Sequence, residues 1–282
     1  MPELPELDVM QEVLTEKVIG RTIAAVRVYH PALLKTLEPD LDSLVGRRFT
    51  AISRRGKHLV FTITDDLHLV VHLMVAGRLI LCRSNTKATK ASGCVLTFDD
   101  GEDLRIIENA SIRRVRVHVV CDPLDVEAIA NAGLEPLSDE FTVPYLSRHV
   151  LERKRQLKKL LTDQTIIAGI GTAYADEILF DAKLSPIRYG TTLGADEIDR
   201  LHASIQSVLR WAIEEIRADA GGATVTPHER RFARVYKKSE QPCPDCGTKI
   251  AEIRYAQTKT YYCPGCQCQG SSIRDRRSWI TR

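Results

Sequence analysis

The sequence predicts an α+β protein of more than one domain, in which a leading helix and a β-strand body precede a helical segment and a short metal-bound ribbon. Three observations carry the prediction. Apolar residues recur at helical spacing at the start and again beyond residue 122, β-branched runs fill residues 22–121, and two Cys-x-x-Cys pairs stand near the end. A chain of 282 residues has room for two domains and an appendage with buried apolar residues.

The first element is a helix over residues 3–19. Leu7, Met10, Val13, Leu14 and Val18 fall at helical spacing, and Gly20 stops it. Runs at 23–29, 58–64, 67–74, 95–98 and 115–120, broken by Gly, Asp and Asn, suggest a two-sheet sandwich or a barrel. Asp122-Pro123 marks the exit. Helical patterns follow at 124–132, 143–151, 156–161, 174–182 and 196–218, with Ala175, Ile178 and Leu179 expected in the core. Between two of them, Gly169-Ile-Gly171 turns into a helix whose first amides can hold a phosphate, although helix hairpins also turn on glycines. Gly221-Gly222 closes the helices, and Arg230, Arg231, Arg234, Lys237 and Lys238 lead into the cysteines. The expected domains are 1–121, 122–226 and 227–282.

Cys243-Pro-Asp-Cys246 and Cys263-Pro-Gly-Cys266 each make a knuckle that places two thiolates on one ion, and the residues between them can form the joining hairpin. Four thiolates close the coordination sphere, so one structural Zn²⁺ is expected. The remaining cysteines, Cys82, Cys94, Cys121 and Cys268, are scattered and read as core or incidental thiols.

Charge separates along the chain. Residues 227–282 hold 12 Lys and Arg against 5 Asp and Glu, whereas residues 1–226 hold 28 against 32. A basic tail on a slightly acidic body points to a polyanion partner, with a solvated basic surface as the alternative. No run of 18 apolar residues occurs, and Met-Pro-Glu-Leu-Pro-Glu is no signal peptide, so no membrane partner and a cytoplasmic location are expected.

Several motifs together resemble the formamidopyrimidine-DNA glycosylase and endonuclease VIII family of bacterial type. They are the opening Met-Pro-Glu-Leu-Pro-Glu, Arg54-Arg-Gly-Lys57, His72-Leu-Met-Val-Ala-Gly-Arg-Leu79, Leu161-Thr-Asp-Gln164, Gly169–Phe180 and the cysteine ribbon, in the family's order over nearly the whole chain. The resemblance implies an N-terminal β-sandwich, a helix–two-turn–helix domain and a zinc hairpin, with damaged DNA across the cleft between the domains. It implies a monomer, associated with the nucleoid when acting, that needs no small-molecule cofactor. The implied activity is that of a bifunctional DNA glycosylase and abasic-site lyase in base excision repair. Alternatives are a non-catalytic protein of the same fold that binds damaged DNA, and a zinc-ribbon protein acting on RNA.

The chemistry suits the residues. Removal of Met1 exposes Pro2 as a secondary amine, and a terminal amine with pKa near 8 is about a tenth unprotonated at pH 7. Attack on a deoxyribose C1′ expels the base and leaves a cationic iminium, with Glu3 beside it as acid or base. The resemblance assigns Glu6 to the same pocket and gives Lys57 a phosphate contact and a proton-donor role. From the residues alone, Pro2 and Glu3 also read as an ordinary helix start and Lys57 as a strand-end charge.

The DNA-contact positions carried over are Val75, Arg113, Arg114, Lys154, Gly171, Thr172, Tyr174, Thr258 and Lys259, with Arg155, Lys158 and Lys159 following the backbone. The sequence departs from the family at several of them. Thr172 replaces an Asn, Thr258 replaces an Arg with Lys259 one residue later, and Val75 stands for a Met. Met74, one residue earlier, is expected on the opposite face of the strand. The wedge motif is blurred into Glu108-Asn-Ala-Ser-Ile-Arg-Arg114, and residues 221–235 leave little room for a lesion-covering loop.

Overall fold

The computed structural model describes residues 1–220, 230–255 and 258–273. The Gly221-Gly222 stop and most of the short 221–235 segment lie outside them. The chain forms two compact units, residues 1–132 with 213–229 and residues 133–212 with 230–282.

The first unit opens on α1 (Leu4–Val18), whose apolar face is buried at Leu7, Met10, Leu14 and Val18. Two four-stranded antiparallel sheets follow. One has the order β1 (Ile23–Val28), β6 (Ser92–Phe98), β7 (Glu102–Glu108), β5 (Gly77–Arg83); the other runs β2 (Phe49–Arg55), β3 (His58–Ile63), β4 (Leu67–His72), β8 (Arg116–Val120). The sandwich alternative is therefore the one realised. Phe49 meets Phe61 of its own sheet at a tilt of 52° with ring centroids 5.5 Å apart, and Phe98 of the other sheet edge-on at 6.0 Å, so aromatic contacts tie the layers.

The single helix expected over 124–132 is broken. Asp122 accepts from the Leu124 amide and starts a 3₁₀ turn at Pro123–Asp125, Val126 is extended, and only α2 (Glu127–Ala130) is helical. Val126 and Ile129 pack against Val60, Val70 and Val120, which explains why this segment turns back onto a sheet.

The second unit contains α3 (Val143–Leu151), α4 (Leu157–Leu161), α5 (Thr172–Asp181) and most of α6 (Ala195–Ala220). It ends on the hairpin of β9 (Ala251–Tyr255) and β10 (Thr258–Tyr262), followed by α7 (Pro264–Cys268). Ala175, Ile178 and Leu179 of α5 are fully buried. No helix among the described residues is long and apolar enough to cross a membrane.

Candidate active site and zinc centre

The start of α1 is built by reciprocal carboxylate capping. Glu3 is the N-cap and its side chain meets the Glu6 amide, while the Glu3 amide donates to Glu6 Oε2 at 2.9 Å. Both acids are buried, at 3 % and 1 % exposure, and Pro2 is buried with them. Such burial of carboxylates is costly unless their oxygens are engaged, which the helix amides accomplish.

α1 is tied to β2. Gln11 donates to the Ile52 carbonyl at 3.1 Å, and Asp8 forms a short ion pair with Arg54. Arg54 lies two residues before the Gly56–Lys57 turn that joins β2 to β3, so the acidic helix start and Lys57 belong to one edge of the unit. Gly56 adopts φ 57°, a conformation a two-residue hairpin requires and glycine takes without strain. Lys57 is 8 % exposed, which replaces the strand-end surface charge by a buried cation.

Strand register extends this edge. Arg55 pairs with His58, Leu59 with Val71 and His72 with Arg116, so His58 and His72 come opposite one another; their rings lie 4.5 Å apart. Burial pushes His58 down to about 4, although its bond to the Arg55 backbone favours the proton; the charges of His118, Arg116 and Lys57 push the same way as burial. Burial likewise pushes His72 down to about 3, followed by His58, Lys57 and Arg116. The Met74 amide donates to His72 Nδ1 at 3.1 Å, so the neutral ring carries its proton on Nε2. In the sequence His72 stands out only as part of a motif, and His58 and Arg116 do not stand out at all; their signal is the placement of both histidines at strand ends.

Met74 and Val75 are not on a strand. They sit in the turn between β4 and β5, with Met74 at φ 52°, so the opposite-face expectation for Met74 is corrected. Gly77 closes the turn by donating to the Leu73 carbonyl; a Cβ there would lie 2.3 Å from that oxygen and 2.5 Å from Val115, which leaves no room for a side chain. Gly77 also pairs with Glu108, whose buried carboxylate accepts from the Arg114 and Val115 amides. The Val75 turn and the 109–115 segment are thereby neighbours. Val75 and Ile112 are exposed there, Arg114 is exposed, and Arg113 reaches the Lys90 carbonyl.

In the second unit, Gln164 shapes the glycine turn. Its amide donates to the Thr162 and Ile170 carbonyls at 2.9 and 2.7 Å and its oxygen accepts from Gly169, which has φ 87°. Gly171 is the buried N-cap of α5, and Thr172 is exposed at its first position. Tyr174 is fully buried, so a DNA contact by its ring is withdrawn; Arg230 stacks over it at 5.0 Å. Lys154, Arg155 and Lys159 are exposed, with Arg155 paired to Asp163 at 2.7 Å. Lys158 also departs from its expected surface role. Its ammonium is buried against Asp176 of α5 at 2.7 Å, which removes it from the set of backbone-following cations.

The four predicted ligands Cys243, Cys246, Cys263 and Cys266 place their sulfurs within 4.8 Å of one another. Sulfur separations of 3.8 Å for Cys243–Cys266 and 3.4 Å for Cys246–Cys263 approach the roughly 3.8 Å edge of a tetrahedron with Zn–S bonds of about 2.3 Å. A Cβ on Gly265 would stand 2.9 Å from Cys246 Sγ, so the knuckle needs glycine. The donor set fits one structural Zn²⁺. Thr258 begins β10, and the Lys259 side chain pairs with Glu252 at 2.9 Å.

A β-sandwich with a buried acidic helix start, a glycine-turned helical unit and a Cys₄ hairpin define a three-module, zinc-bearing protein. Residues 1–115 match the formamidopyrimidine-DNA glycosylase N-terminal domain, 132–225 the H2TH domain of the same glycosylases, and 240–267 the zinc finger found in FPG and IleRS. The formamidopyrimidine-DNA glycosylase of Pelotomaculum thermopropionicum is 33 % identical over 276 residues, covering 95 % of this chain and 99 % of that one. The structure of Lactococcus lactis FPG (MutM) with a Fapy-dG containing DNA superposes with TM-score 0.86 at 28 % identity, over 94 % of this chain and 100 % of that one. The MutM (FPG) protein from Thermus thermophilus gives TM-score 0.82 at 31 % identity, over 96 % and 100 %. The chain belongs to the formamidopyrimidine-DNA glycosylase family.

Proposed function

We propose that the protein is a base-excision DNA glycosylase that also cleaves the resulting abasic site, with Pro2 as nucleophile once Met1 is removed. The observation that carries this reading is the buried start of α1, where Glu3 and Glu6 cap one another directly after the buried Pro2, on the edge that also holds Lys57.

The Pro2 nitrogen attacks C1′, the glycosidic bond breaks, and the base leaves with its electron pair and takes up a proton. Glu3 assists sugar-ring opening and moves protons at the reacting carbon. The secondary amine yields an iminium that has no N–H proton to lose and so stays cationic. Loss of a C2′ proton into this electron sink expels the 3′ phosphate, with Lys57 beside the phosphate. Glu6, bonded to the Glu3 amide, acts as a positioning residue. Neutral His58 and His72 add no charge beside Lys57 and leave the His72 Nε2 proton as a phosphate donor.

The target base leaves the stack to bring C1′ within reach. Val75, Arg113 and Arg114 fill or brace the gap, while Lys154, Gly171, Thr172, Thr258 and Lys259 hold the backbone. The Cys₄ zinc supplies folding of the hairpin and takes no part in a chemical step.

The test is a borohydride trap of chain lacking Met1 with an abasic-site duplex. A covalent adduct carried by the N-terminal peptide supports the enzyme. Tight binding without an adduct supports the non-catalytic alternative.

A further inference from the structure

Three buried charged side chains in the second unit, Lys158, Asp176 and Glu177, have no place in the proposed chemistry. Asp176 and Glu177 are consecutive on α5, so their side chains leave the helix about 100° apart. Each engages a different arm of the zinc module. Asp176 Oδ2 accepts from the Tyr261 amide of β10 at 3.1 Å, and Asp176 Oδ1 pairs with Lys158. Glu177 accepts from the amides of Arg234, Val235 and Tyr236 at 3.0, 2.9 and 2.8 Å, in the stretch of chain that leads into the first cysteine pair.

Lys158 completes the arrangement from α4. Besides its ion pair with Asp176, its ammonium donates to the Lys259 carbonyl at 2.8 Å and to Thr260 Oγ1 at 3.0 Å, so one charge is held by a carboxylate and two acceptors of β10. A small apolar core of Phe180, Val235, Ile250, Tyr261, Cys243 and Cys263 joins the same helix to the zinc knuckles. Burial pushes the Asp176 carboxyl up against the opposing pull of Lys158.

A buried ion pair is a poor device for stability, because apolar residues of similar volume often serve as well or better. What it supplies here is register. Leu or Met in these places would let β10 slide along α5, whereas Lys158 donates to the Lys259 carbonyl and the Thr260 hydroxyl in one alignment alone.

We propose that Asp176, Lys158 and Glu177 are positioning residues that lock the zinc hairpin onto α5, so that the Thr258–Lys259 end of the hairpin and the Gly171–Thr172 turn act as one preset grip on the nucleic-acid backbone. Asp176 lies four residues from Thr172, about 6 Å along the helix, so the clamp sits next to the turn it serves. The inference rests on the DNA-binding reading of the previous subsection.

The experiment uses full-length zinc-loaded protein and a duplex carrying a reduced abasic-site analogue. The variants are D176N, K158M/D176N, T172V and the combinations of each of the first two with T172V. Asn keeps an acceptor for Tyr261, and the double variant removes both charges together, so it retains a foldable unit if D176N does not. The expected result is a full complement of one zinc, faster amide exchange at Tyr261, and about tenfold weaker binding in both D176N and K158M/D176N. T172V is expected to lose at least threefold less in those backgrounds than in the wild type, the sign of a shared grip. Wild-type affinity in K158M/D176N, or strictly multiplicative losses with T172V, overturns the proposal. Failure of the wild-type protein to bind the duplex at all overturns the DNA-binding reading instead.

Discussion

Replacement of His58 by Gln should make the first unit less sensitive to acid. His58 is held neutral down to about pH 4, against 6.5 for a free imidazole, chiefly by burial. Its folded pKa is depressed, so unfolding takes up a proton between those values. The stabilisation is complete above pH 6.5 and is lost as pH falls toward 4. At about 1.4 kcal/mol per unit, this group alone accounts for about 2 kcal/mol lost between pH 7 and pH 4.5. His72 titrates beside it at 4.5 Å, so removing His58 also relieves part of the depression of His72. The measurement is urea unfolding at pH 7 and 4.5, followed by backbone NMR signals of β3 and β4, which report the first unit separately from acid release of zinc. Wild type should lose about 2 kcal/mol more than H58Q over this interval. Equal losses in the two proteins, or a His58 ring that titrates near 6.5 by NMR, refute the reasoning.

Three further outcomes are expected. C263S or strong chelation should remove the single zinc, whose apparent binding energy in such sites is about 10–16 kcal/mol, and abolish tight DNA binding while the NMR signals of β1–β8 persist; loss of those signals would contradict a separate folding role. In protein lacking Met1, E3Q should block base removal and P2G should slow adduct formation; full glycosylase rate in protein whose Met1 is retained by mass spectrometry would sink the Pro2 assignment. With Thr at 172 and 258 and Lys259 engaged by Glu252, DNA grip should be weaker and already-unstacked lesions favoured, since eversion costs a few kcal/mol. Single-turnover rates on abasic, bubble and 8-oxoguanine·cytosine substrates test this, and fastest cleavage of 8-oxoguanine in normal duplex would refute it.

Local patterns reached far in this chain. Spacing of apolar residues located α1, α3 and α6, the paired Cys-x-x-Cys knuckles located the zinc site, and the order of motifs pointed to the family, because each is written within a few consecutive residues. Pairing partners are not written locally. The choice of sandwich over barrel depended on which of eight strands are neighbours, and the helix expected at 124–132 was broken by packing onto Val60 and Val70. Met74 and Val75 extend an apolar run in the sequence, yet the close approach at Gly77 turns the chain there. Lys158 stands among Lys154, Arg155 and Lys159 as one more cation in a basic run. Only tertiary packing distinguishes it, because a charge leaves water where an acceptor set such as Asp176, the Lys259 carbonyl and Thr260 waits to receive it, and those partners lie up to 102 residues away.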